Sequence, residues 1–181
     1  MVYVLAGPTE CRPKPGEPVP APTEQQYNEF FVALGEATAA WARVEARTAI
    51  IYATSMQSTN YNAVMVSLAI PTSFRTRLDM TDEVFRTLPC FSQFEHRWRK
   101  LKERARKASL RRNALAHGSV IYSLPEGVLC ITKNVSDPRN KIDDAITAKQ
   151  ISDQTRSFMK LEGDLGDLWL ELGRLLHAPN P

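Results

Sequence analysis

The sequence has no apolar run near the ~20 residues that a membrane span requires, so a membrane is not expected among its partners. Cysteine is scarce: Cys11, Cys90 and Cys130 lie far apart with no CxxC pair, which fits a reducing compartment and argues against a zinc site. The eight glycines are scattered, and none builds a Gly-rich phosphate loop. The first residues, Met1 to Ala6, lack the basic flank and the length of a signal peptide, so a cytoplasmic protein is expected. The acids Asp79, Asp82 and Glu83 do not have the spacing of a calcium loop, and Asp143-Asp144 reads as solvated loop. Ser109 has no base beside it other than the groups discussed below. No metal and no cofactor is expected.

What is present is an ordinary apolar and charged content, 43% and 24% of 181 residues, enough for one domain with a real core. Residues 7–22 hold six of the twelve prolines, so 1–22 is expected to be an extended or disordered tail and 23–181 the helical domain. Capping boxes, Thr23 with Gln26, Ser92 with Glu95 and Thr147 with Gln150, predict three long helices. They run to about Ser55, His117 and His177. Their apolar stripes recur at helical spacing: Phe30, Leu34, Trp41, Val44, Thr48 and Ile51 on the first; Phe94, Trp98, Leu101, Ala105, Ala108 and Leu115 on the second. Ile151, Phe158, Leu161, Leu165, Leu168, Leu172 and Leu175 form the third. Shorter helices are predicted over 62–70 and 73–88, each stopped by a proline. After Gly118 the pattern turns to period two, and Val120–Tyr122 and Val128–Thr132 around Pro125-Glu126-Gly127 predict a hairpin. Residues 134–146 read as a polar loop. The fold class is therefore all-α: an up-and-down helical bundle with a small β-hairpin inserted before the last long helix. Trp41, Trp98 and Trp169 lie on or beside the stripes and are assigned to the core.

Net charge is only +3, but Arg97 to Arg112 contains nine basic residues and one acid, Glu103. Concentrated positive charge is the footprint of a polyanion; the competing reading is a helix face paired with acids elsewhere in the fold. At the end of this basic helix stands Arg111-Arg112-Asn113-Ala114-Leu115-Ala116-His117-Gly118. Arginine offers a fixed fork of donors to a phosphate, and histidine, with an unperturbed pKa of ~6.5, gives or takes a proton near working pH. Asn113 and His117 are four apart and share a face, so the amide can orient the imidazole or touch RNA. Arg112 lies about 140° around the helix from His117 and has to reach around it or act from a partner. Cleavage of RNA through its own 2′-hydroxyl needs a base, an acid and a cation at the phosphate. One chain offers one histidine in this segment. His96 is too far up the same helix, and His177 lies at the far end of the last one. A symmetric dimer would supply a second His117 and Arg112 to a shared cleft. Arg104, Lys107 and Arg111 are the candidates for holding the RNA backbone, and Glu45 is a candidate to pair with an arginine of the segment.

Arg112, four residues and then His117 in the string RNALAHG resembles the R-x4-6-H motif of the HEPN superfamily. Trp41-x-x-x-Glu45 on the first helix and Phe74 to Leu78 on a middle one add looser patterning. The resemblance covers about residues 24–177. Many members carry an aromatic residue directly after the histidine; this chain has Gly118. The resemblance implies a helical bundle, a metal-independent endoribonuclease acting as a homodimer, and a role in toxin–antitoxin or phage-defence systems with an antitoxin or regulatory partner. Two other readings stand beside it. Gly118 is also a common residue just past a helix end, and a last-turn histidine can satisfy carbonyls. The chain would then be a non-catalytic helical module binding RNA or protein, or an interaction protein using its Pro-rich tail.

Overall fold

The computed structural model describes residues 3–5, 21–58, 60–70, 73–132 and 145–176. The elements in chain order are β1 (Tyr3–Leu5), α1 (Glu24–Ser55), α2 (Tyr61–Ala69), α3 (Phe74–Thr87), a 3₁₀ turn (Pro89–Phe91), α4 (Ser92–His117), β2 (Ser119–Ser123), β3 (Val128–Thr132), β4 (Ile146–Thr147) and α5 (Ala148–Leu176). The fold is a mostly α-helical bundle with a small sheet before its last long helix, as the sequence predicts.

Two of the three expected capping boxes form. The Thr23 N–H donates to Gln26 Oε1 at 2.9 Å while the Gln26 N–H donates to Thr23 Oγ1 at 3.2 Å. The same exchange links Thr147 and Gln150 at 2.8 and 3.5 Å. Each pair satisfies two donors that a helix start leaves open. Ser92 is different. It already has helical backbone angles, φ −53° and ψ −36°, and its N–H bonds to Pro89 O. A 3₁₀ turn with proline at its first position leads straight into α4, so no box is needed there. Ser73 and Asn60 cap α3 and α2 by accepting from the N–H of Thr76 and of Ala63.

The chain divides into two compact units, each drawn from two stretches: Met1–Thr38 with Leu110–Arg156, and Ala39–Ser109 with Ser157–Pro181. The core of the second is built around tryptophan. Trp98 is fully buried and stacks on Phe85 with ring centroids 5.1 Å apart. Trp41 meets Phe74 and Phe158 edge-on at 4.8 and 5.4 Å. Leu161, Leu165, Leu168 and Leu172 of α5 close the same cluster. A buried indole N–H needs an acceptor, and each tryptophan has one: Glu45 Oε1 for Trp41 at 2.7 Å, Asp82 Oδ1 for Trp98 at 3.0 Å and Thr54 Oγ1 for Trp169 at 3.1 Å. A satellite cluster packs Val64 and Leu68 of α2 on Tyr52 and Ala53 of α1.

Asp82 does two jobs in this unit. Its other oxygen accepts from Lys102 Nζ at 2.8 Å, and Lys102 also reaches Asp79 at 2.9 Å. Burial alone would lower the lysine pKa, but the two carboxylates outweigh it and hold it above its ordinary value. A raised folded-state pKa means that this stabilisation is fully present below the unfolded lysine pKa of ~10.4 and is lost as pH rises through the folded value. Lys102→Met leaves two carboxylates side by side and is expected to cost about 1–3 kcal/mol in urea unfolding at pH 7. The difference from wild type should shrink above about pH 10.5; a difference independent of pH would contradict this assignment.

In the first unit four strands form one sheet in the order β1-β2-β3-β4. The expected hairpin is its centre: β2 and β3 pair antiparallel with Ile121 opposite Cys130. β1 adds in parallel to β2, with Tyr3 opposite Ile121, and β4 adds antiparallel to β3. Neither flanking strand was expected; β1 lies in the stretch assigned to the tail, and β4 is two residues long. The prolines from Pro8 to Pro20 and residues 134–144 of the expected loop lie outside the described residues, as does His177. The turn closes at Gly127, whose φ of +63° suits glycine. Gln26 Nε2 donates to Gly127 O at 2.7 Å, so one side chain caps α1 and holds the hairpin turn. Phe30, Ala33 and Ala37 of α1, Leu115 of α4 and Ile151 of α5 pack on Tyr122, Leu129 and Ile131. Burial along β3 does not alternate, since Leu129 to Thr132 are all buried, so both faces are covered. Cys130 is fully buried, and that burial, helped by the charge of Glu126, pushes its thiol up to about 11. Cys130 should therefore resist iodoacetamide at pH 7.5 in the native protein while the exposed Cys90 is alkylated. Peptide mass mapping with and without denaturant reads the difference.

Candidate functional site

The last two turns of α4 belong to the first unit, and two residues set their orientation. Leu115 points inward, 7% exposed, into the cluster with Tyr122 and Ile131. Gly118 then lies directly against β3. A Cβ placed on it would stand 2.2 Å from Ile131 Cγ2, 2.7 Å from Ala114 O and 2.9 Å from Thr132 O. Its N–H still closes the helix on Ala114 O at 3.1 Å, and β2 begins at the next residue. Among the described glycines only Gly127 has positive φ, so Gly118 is required by close approach and not by a left-handed helix stop.

With Leu115 inward and Gly118 held, Asn113 and His117 face outward and are exposed, while Arg112 is half-buried. Arg112 Nη1 donates to Asn113 Oδ1 at 3.2 Å. The amide carbonyl thus binds the guanidinium, and among the described residues nothing donates to or accepts from the His117 imidazole. Arg112 and Asn113 are brought together; the expected orientation of the imidazole by Asn113 is not made. His96 is bonded to Arg99 on its own helix, Nδ1 to Nη2 at 3.3 Å. Glu45 takes the indole of Trp41, one turn before it, and its observed partner is that tryptophan in place of an arginine.

The basic stretch is partly neutralised. Arg97 pairs with Glu171 at 2.6 Å, Lys102 with Asp79 and Asp82, Arg104 with Asp164 at 2.5 Å and Lys107 with Glu103 at 3.6 Å. Arg99, Lys100, Arg106, Arg111 and Arg112 have no carboxylate within ion-pair distance among the described residues. Of the three residues expected to hold an RNA backbone, Arg104 and Lys107 already have acidic partners and Arg111 is exposed and without one. A cleft of about 520 Å³ in the second unit is lined by Arg86, Arg99, Lys102 and Arg106 with Asp82 and Glu103 among its acids. Arg99 and Arg106, seven apart on α4, share a face, a spacing visible in the sequence but not used there. Among the described residues no group of three or more His, Cys, Asp or Glu side chains is gathered closely enough to hold a metal ion, and no helix is long and apolar enough to cross a membrane.

Compared with known protein families, curated proteins and solved structures, the chain matches none.

The helix end itself can be tested. Gly118→Ala forces a methyl group into Ile131 and the β3 backbone, and overpacking of this kind costs about 1–3 kcal/mol. The urea midpoint should fall accordingly. An unchanged midpoint would show that α4 ends here for another reason.

Proposed function

We propose that the chain is a metal-independent endoribonuclease of the HEPN type. The observation that carries this reading is the outward-facing group of Arg112, Asn113 and His117 on a helix end fixed by Leu115 and Gly118. In this reading the 2′-oxygen attacks the adjacent phosphorus and the bond from phosphorus to the 5′-oxygen breaks. The products are a 2′,3′-cyclic phosphate and a free 5′-hydroxyl. His117 transfers a proton, either from the 2′-hydroxyl or to the leaving oxygen. Arg112 carries the charge that grows on the phosphoryl oxygens, and Asn113 positions its guanidinium. The second proton transfer falls to His117 of a second copy, so the active form is a homodimer. Arg111 and the other cations of α4 without acidic partners steer the RNA backbone. An antitoxin or regulatory partner that covers this helix end fits the same reading.

The purified protein should cleave mixed-sequence RNA in excess EDTA and leave 2′,3′-cyclic phosphate ends. His117→Ala should lower the rate by about 100-fold or more, and Arg112→Ala by a comparable factor, with the folded state intact by circular dichroism because both side chains lie outside the core. Equal cleavage by wild type and His117→Ala would remove His117 from the chemistry.

A second reading, a non-catalytic helical module, is favoured by one observation: nothing among the described residues orients His117. RNA retained on a filter with no cleavage by wild type would decide for it.

A further inference from the structure

The cleft of about 520 Å³ in the second unit is walled by α3 and α4 and lined by four cations, Arg86, Arg99, Lys102 and Arg106. Three acids, Asp82, Glu95 and Glu103, line it too, so its character depends on which charges already have partners. Both oxygens of Asp82 are taken, one by the Trp98 indole and one by Lys102. Glu103 pairs with Lys107 at 3.6 Å. Arg86 pairs with Glu83 on its own helix, at an exposed site where such a pair is weak. Glu95 stands one turn before Arg99, at the spacing where an acid pairs with a following base, yet the Arg99 guanidinium bonds the His96 ring instead. The Arg106 guanidinium has no partner among the described residues. Two guanidinium groups, Arg99 and Arg106, and one carboxylate, Glu95, are therefore left without an opposite charge. An ammonium group has three N–H donors; Lys102 directs one to Asp79 and one to Asp82, which leaves a third.

We infer that this cleft binds a compact polyphosphate group, two or three linked phosphates. Arginine presents a planar fork that matches phosphate oxygens and holds its charge at any working pH. Arg99 and Arg106 are seven residues apart, roughly 10 Å along the helix axis, which gives each fork a phosphate of its own. Lys102 lines the cleft between them and adds its third N–H, and Arg86 lines the α3 wall. The volume is that of a small-molecule site. The free acid limits the length of the ligand. Glu95, one turn beyond Arg99 on α4, repels an anion that continues along the groove, so an extended nucleic-acid strand is disfavoured where a short anion is not. This inference goes beyond the ribonuclease reading and does not rest on it, since every lining residue belongs to the second unit and the test involves no cleavage.

The test is isothermal titration calorimetry of the full chain with sodium tripolyphosphate at about 0.1 M salt. Wild type should bind with a Kd below about 1 mM. Arg99→Ala and Arg106→Ala each remove a charge-assisted contact and should weaken binding by about 10-fold or more. Glu95→Gln removes the opposing carboxylate and should tighten binding several-fold. Lys160→Ala, at an exposed lysine of α5 that does not line the cleft, is the control for net charge and should change nothing. All four side chains are exposed, so the variants should keep the circular dichroism and urea midpoint of wild type. Adenosine triphosphate as a second titrant separates the sources of the group: equal affinity assigns recognition to the phosphates alone, and tighter binding assigns the source to a nucleotide. No binding of either by wild type up to about 10 mM overturns the inference. Binding that both arginine substitutions leave intact, or that Lys160→Ala weakens as much as they do, also overturns it. If single-stranded RNA binds, loses affinity in both arginine variants and is not displaced by tripolyphosphate, the groove is a nucleic-acid track and the compact ligand is wrong.

Discussion

The missing Cβ of Gly118 sets how closely α4 meets the sheet of the first unit. With no side chain at this position, α4 meets β3 at a separation that no other residue allows. Helix therefore passes into strand at Ser119 with no loop between them. The phase of α4 is thereby tied to the register of β2 on β3. Leu115, one helical position before the final pair, is set inward by the same constraint, and Asn113 and His117 are set outward. A motif at a helix end usually inherits the fraying of that end. Here the end is anchored by a packed sheet.

Electrostatics distributes the basic residues of α4 in two populations. Arg97, Lys102, Arg104 and Lys107 have carboxylate partners, on α5, on α3, on α5 and on α4 itself. Arg99, Lys100, Arg106, Arg111 and Arg112 have none among the described residues. Most of the paired ones are solvent-accessible and contribute little to stability; Lys102 is the exception because it is mostly buried and bridges two carboxylates, one of which also holds the indole of Trp98. The local charge of a sequence window therefore overstates the field that a polyanion would meet.

The boundaries and inward faces of the long helices were legible because they rest on local signals. Thr23 and Gln26, or Thr147 and Gln150, satisfy each other's backbone within one turn, and a stripe such as Phe158, Leu161, Leu165, Leu168 and Leu172 needs only a constant period. The central hairpin was legible from Gly127 and its apolar flanks. What escaped were features created by distant chain. β1 has three residues and exists through its ladder to Ile121–Ser123. The acids that neutralise Arg97 and Arg104 lie far along the chain, at Glu171 and Asp164. Ser92 has the letters of a cap, but Pro89 starts the turn three residues earlier. Gly118 was recognised as a helix stop, while its physical reason, the Ile131 side chain, sits 13 positions further on. At the candidate site the residue identities were readable. The bond from Arg112 to Asn113, which leaves His117 without that amide, was not, since helical spacing fixes which face a side chain is on and not which neighbour it chooses.

The two units are interleaved in the chain, and this bears on synthesis. Residues through Arg156 complete the membership of the first unit, whereas the second still lacks Phe158, Leu161, Leu165, Leu168 and Leu172 at that point. At roughly 5–20 residues per second, Trp41, Phe74 and Trp98 spend several seconds without their α5 wall. A nascent chain in this state presents aromatic and aliphatic side chains to its surroundings before the helix that covers them has been made. Elongation speed over α5 and the availability of a chaperone that binds apolar segments would then set the yield of native protein, independently of how stable the finished fold is.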